Sequence, residues 1–110
     1  MNKHLKVNDV FSERNVVLIL VYLYVFGPRT RSEIYHDVST NPRMSNKLQL
    51  LIDVGLVHQT EKDWYNRKEL SLTEAGKKVA EYLISLEKQL GGSMDSFKWD
   101  VRMANLEDFS

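Results

Sequence analysis

The sequence predicts an α+β domain, mostly helical, in which three helices lead into a two-stranded hairpin and a long helix follows. Three observations carry this. The breakers Gly27-Pro28, Asn41-Pro42 and Gly55 cut the first half into helix-length segments. Apolar and polar residues alternate over 68–72, after a charged stretch, as in a strand returning from a hairpin. Val79, Leu83, Leu86 and Leu90 then recur at spacings of four and three, a coiled-coil-like helical seam.

The first helix is expected from Ser12 to Phe26, ended by Gly27-Pro28. Its run VVLILVYLYVF, residues 16–26, also suits a buried strand by composition, but eleven apolar residues exceed the usual strand length. A helix apolar on every side must be covered on every side. A domain this small covers about half of it, leaving the rest to the chain's own ends or to a second subunit.

In TRSEIYHDV, residues 30–38, Thr30 and Glu33 have the spacing of a capping box, and Ile34 and Val38 form one apolar face. This is a short second helix. Ser39-Thr40-Asn41-Pro42 is the turn, with Thr40 or Asn41 as cap and Pro42 suited to a first helical position. The third helix covers about 42–54. Met44, Leu48, Leu51 and Ile52 form its buried stripe. Arg43, Asn46, Leu50 and Asp53 fall opposite, with Lys47 and Gln49 on the flanks.

Gly55 ends that helix, and GLVHQ, residues 55–59, enters a strand. KELSL, residues 68–72, is the second strand, and TEKDWYNRK forms the tip between them. Thr73 caps the long helix TEAGKKVAEYLISLEKQL, which Gly91-Gly92-Ser93 closes. In the tail, Met94, Phe97, Val101 and Ala104 share one helical face and Trp99, Met103 and Leu106 another. It reads as a helix that docks on something rather than a free terminus, which rarely needs so many aromatics.

Composition narrows the function. The 110 residues are 43% hydrophobic and 27% charged, with no cysteine, so disulfides, thiol redox chemistry and cysteine-ligated zinc are excluded. The longest apolar run is too short to span a bilayer, which takes about 20 residues. It is also badly placed for a signal peptide, so the chain reads as cytoplasmic with no membrane partner. His4, His36 and His58 share no metal-ligand spacing. No phosphate-binding glycine loop and no nucleophile motif is present, so the reading is not an enzyme, with no cofactor and no metal. Formal net charge is zero. Residues 27–68 carry seven Lys and Arg against five Asp and Glu, whereas 69–110 carry five against eight.

Two local signatures go further. KLQLLIDVGLV ends a helix in Leu-x-x-x-Gly-Leu-Val as it enters a strand, and LSLTEAGKKVAEYL joins a strand to a helix through Leu-Thr-x-x-Gly. With the element order, they resemble the winged helix-turn-helix domain of prokaryotic transcription regulators of the broad MarR/PadR-like kind. The resemblance covers about residues 12–90. The chain then divides into an N-terminal arm at 1–11, the winged-helix domain at 12–90, a Gly-Gly-Ser hinge at 91–93 and a tail at 94–110, read from its residues as a docking helix.

The resemblance implies a homodimeric, sequence-specific binder of double-stranded DNA that regulates transcription. The second helix of such a motif enters the major groove. Its reading residues here are Arg43, Ser45, Asn46, Lys47 and Gln49, types that pair with guanine or adenine edges. At the start of the second helix, Arg29, Thr30, Arg31 and Ser32 either hold a DNA phosphate or simply keep the surface soluble. The wing supplies Lys62, Trp64, Tyr65, Arg67 and Lys68, with at least one aromatic expected to pack along the hairpin. Val79, Leu83, Leu86, Leu90, Phe97 and Trp99 are expected at the dimer interface. No small-molecule effector is assigned. From another class, the neutral charge, an exposed Leu50 and the aromatic tail favour a winged-helix protein-interaction module within a larger assembly.

Overall fold

The computed structural model describes residues 4–61 and 68–107, the last six of these as helical backbone only. The described elements run α1 (Lys6–Phe11), α2 (Val16–Phe26), β1 (Arg29–Thr30), α3 (Arg31–Asp37), α4 (Met44–Asp53), β2 (Val57–Glu61), β3 (Lys68–Leu72), α5 (Glu74–Gln89) and α6 (Met94–Glu107).

The apolar run is a helix, α2, and it forms the middle of the core. Val16, Ile19, Leu20 and Tyr22 have no exposed surface, and they meet Ile34 of α3, Met44, Leu48 and Leu51 of α4, and Leu70 of β3. Truncating a leucine here, such as Leu48, costs about 2–5 kcal/mol in lost transfer energy and cavity. Cover for α2 comes from within the chain: α5 packs along it, α1 lies against it, and Phe97 and Val101 of α6 join the same cluster. Val17 and Leu18 stay open to solvent, at 40% and 41% exposure.

The structure departs from the sequence reading at the start of the chain. The sequence suggests an arm over residues 1–11, yet Lys6–Phe11 is helical and buries Val10. The expected helix from Ser12 is broken because Asn15 has φ 72°, the left-handed region that asparagine tolerates better than most residues. A new helix therefore starts at Val16.

The sheet also differs from a simple hairpin. Three antiparallel strands run in the order β1-β3-β2. Arg29 pairs with Leu70 and Thr30 with Glu69 on one side of β3, while Val57 pairs with Leu72 and Glu61 with Lys68 on the other. The two-residue β1 passes directly into α3. There the Thr30 hydroxyl accepts from the Glu33 N–H at 3.2 Å and the Glu33 carboxylate accepts from the Thr30 N–H at 3.0 Å, completing the capping box.

Helix α4 begins at Met44, two residues later than the Pro42 start read from the sequence. The Asn41 side chain still caps the approach, its Oδ1 accepting from the Arg43 N–H at 2.8 Å. At the other end Gly55 has φ 82°. The Leu56 N–H donates to the Leu51 carbonyl and the Gly55 N–H to that of Ile52, so two carbonyls left over by the helix are satisfied. Thr73 then ties this exit to α5, its hydroxyl donating to the Gly55 carbonyl at 2.6 Å and accepting from the Gly76 N–H at 3.0 Å.

Within the tail, Met94–Glu107 forms α6. The Gly91 and Gly92 amides close α5 on the Lys88 and Glu87 carbonyls, and the Ser93 hydroxyl accepts from the Asp95 N–H as α6 begins. Phe97 packs against Phe26 with ring centroids 6.4 Å apart, and Val101 is buried. Among the described residues no helix is long and apolar enough to cross a membrane, and no three His, Cys, Asp or Glu cluster to hold a metal.

Candidate nucleic-acid interface

Helices α3 and α4 are joined by the turn at 38–43 and stand on the core through Ile34, Met44, Leu48 and Leu51. The opposite side of α4 faces solvent. Arg43 at the N-cap and Ser45 and Asn46 in the first turn are exposed together, and Gln49 is exposed further along. Gln49 is not idle, since its amide donates to the Asp53 carboxylate at 2.8 Å.

Two residues of this helix sit differently from their sequence assignment. Lys47 is only 5% exposed, although the sequence reading gives it a solvent-facing flank. At 100° per residue it lies about 60° from Met44 and on the opposite side of Met44 from Leu48, so the buried stripe is wide enough to take in its aliphatic stem. Leu50 is half-buried rather than exposed, which removes a main support for the protein-module reading.

A cleft of about 500 Å³ opens on this side, lined by Glu13, Arg43, Asn46, Lys47 and Leu50. Sequence reasoning misses Glu13. It comes from the link between α1 and α2, and no spacing in the chain signals that this link meets α4.

The start of α3 is already engaged within the fold. The Arg29 guanidinium lies 3.7 Å from the Glu33 carboxylate and also donates to the Pro28 carbonyl. Thr30 is committed to the capping box. Arg31 Nε and Nη2 both donate to Gln59 Oε1, at 3.1 and 2.8 Å, which fastens α3 to β2. Ser32 is exposed at the first turn. The arginines therefore brace the motif, and any phosphate contact would compete with those bonds.

In the wing, Lys68 is exposed at the start of β3. Lys62, Trp64, Tyr65 and Arg67 lie outside the described residues. The expected dimer residues divide into two groups. Val79, Leu83 and Phe97 are half-buried against the chain's own core. Leu86 of α5, Leu90 at its C-terminal cap and Trp99 of α6 are open, Leu90 at 76% and Trp99 at 60%.

Beneath the motif, a polar contact fixes α3 to α2. The Tyr22 hydroxyl donates to Asp37 Oδ2, and His36 Nδ1 lies 2.7 Å from Asp37 Oδ1. Burial first, then the bond to Asp37 and its charge, push the Tyr22 phenol well above its ordinary value.

These features define a winged helix-turn-helix fold: α3, turn and α4 make the motif, and β2 and β3 form the base of the wing. No family model matches the chain, and no curated protein matches it. Among solved structures, the chain is similar to MepR, a transcription regulator of the Staphylococcus aureus multidrug efflux pump MepA. The TM-score is 0.66 at 24% identity, over 94% of this chain and 82% of that one. A structure of the S. aureus MepR–DNA complex matches at TM-score 0.66 and 22% identity, over 96% of this chain and 86% of that one. A MepR mutant from a multidrug-resistant S. aureus clinical isolate matches at 0.64 and 23%, over 94% and 81%. At these identities the likeness establishes the fold.

Proposed function

We propose that the chain is a sequence-specific double-stranded DNA-binding transcription regulator that acts as a homodimer. One observation carries the reading: the exposed Arg43, Ser45 and Asn46 stand on the second helix of a fold shared with a protein solved on DNA. In this reading α4 enters the major groove, where arginine pairs with guanine and asparagine with adenine. The wing, with Lys68 at its base, lies on the backbone or in the minor groove. The protein works by occupying DNA, as a roadblock or recruiter at a promoter, without catalysis.

The dimer would use the open apolar side chains of α2, α5 and α6, among them Val17, Leu18, Leu86, Leu90 and Trp99. Two copies would then present α4 to half-sites about 34–36 Å apart.

The test sets Arg43→Ala with Asn46→Ala against Lys68→Ala in DNA binding at fixed salt. The double change loses discrimination between sequences. The wing change weakens all sequences alike and flattens the salt slope by about one. Binding untouched by either set contradicts the proposal.

A further inference from the structure

Among the described residues the α4 cleft is lined by one anionic side chain, and it does not come from α4. Arg43 and Lys47 bring two cations to the wall, Asn46 and Leu50 complete that side, and Glu13 faces them from the α1–α2 link. The backbone around Glu13 is held on both sides. The Ser12 N–H donates to the Asn8 carbonyl at 3.0 Å, and the carbonyl of the left-handed Asn15 accepts from the Ile19 N–H at 2.9 Å. Glu13 is itself exposed and lines the cleft from outside α4. Lys47 is the one buried charged side chain among the described residues, and it lines this cleft.

We propose that Glu13 is an internal competitor that sets DNA affinity: its carboxylate occupies the field of Arg43 and Lys47, and a DNA phosphate must overcome it. This rests on the DNA-binding reading above. Backbone attraction is sequence-independent and salt-dependent, whereas base-edge bonding is neither to the same degree. A carboxylate beside the reading residues therefore lowers non-specific binding more than specific binding. It raises the selectivity of a protein whose overall charge is zero.

The experiment uses the full chain and a random-sequence duplex of about 30 base pairs, with affinity followed by fluorescence anisotropy over a salt series. At about 50 mM salt, Glu13→Gln and Glu13→Ala tighten binding about three- to tenfold, and the gain shrinks towards about 300 mM as screening rises. Asp95→Asn makes the same charge change on α6, away from the cleft, and stays within about twofold of the parent. If both Glu13 variants bind like the parent while Arg43→Ala weakens binding, the competitor role is overturned and DNA binding through α4 stands. The competitor role is equally overturned if Asp95→Asn matches the gain, since net charge alone then explains it. A parent chain that binds no duplex at low salt overturns both readings.

Discussion

The Leu56 carbonyl oxygen lies where a side chain on Gly76 would have to sit, 2.0 Å from the position of a Cβ built there. The backbone leaving α4 crosses the first turn of α5 at this point, and the Thr73 N–H donates to that same carbonyl at 3.1 Å. The obstruction is backbone, so no side-chain rotation relieves it. Gly76→Ala should cost about 3 kcal/mol through overpacking. Urea unfolding measures this, and a loss below about 1 kcal/mol would show that the exit from α4 shifts freely.

Thr73 carries the second link across the same junction. Thr73→Ala removes both the cap on the Gly76 N–H and the donor to the Gly55 carbonyl, and should cost about 1–2 kcal/mol. Thr73→Ser keeps the hydroxyl and should recover most of it. Equal losses in the two variants would mean that the methyl group, not the bonds, matters.

Tyr22 gives a prediction in alkaline solution. Its phenol ionises near pH 10 in the unfolded chain, but burial and the Asp37 contact keep it protonated above that in the fold. The native state then holds a proton that the unfolded state has lost, so this contribution is complete below pH 10 and falls as pH rises. The slope reaches about 1.4 kcal/mol per pH unit for one proton. Tyr22→Phe should cost about 1–3 kcal/mol at neutral pH and lose that alkaline slope. Parallel stability curves for parent and variant from about pH 9 to 11 would contradict it.

These junctions are legible in the sequence because each is local chemistry. Thr30 with Glu33, Gly55 after the leucines, and Thr73 with Gly76 satisfy or shape backbone within a few residues. What sequence reasoning misses depends on distant partners. The two-residue β1 is a strand only because β3 lies beside it. The arm becomes α1 because Val10 finds the side of α2, although KVNDVF is too short to announce a helix. The charge of Lys47 points to solvent, whereas its aliphatic stem follows the stripe that begins at Met44. In the candidate site, Arg43, Ser45 and Asn46 are exposed as their helical positions require, while Glu13 and Gln59 arrive by folding alone.

The Arg31–Gln59 bond tests whether the arginines at the start of α3 brace the wing. A double-mutant cycle on Arg31→Ala and Gln59→Ala should give a coupling energy of about 0.5–1.5 kcal/mol in stability. Arg31→Lys should not restore it, since an ammonium cannot make the paired approach of the guanidinium. Additive losses would free Arg31 for a direct phosphate role.

The most direct test of the central claim is selection of bound sites from a random DNA pool by the parent chain and by Arg43→Ala with Asn46→Ala. The parent should enrich a pair of related half-sites about one helical turn apart, and the double variant should bind without enriching them. A parent that enriches nothing, or a variant that enriches the same sites, would contradict recognition through α4.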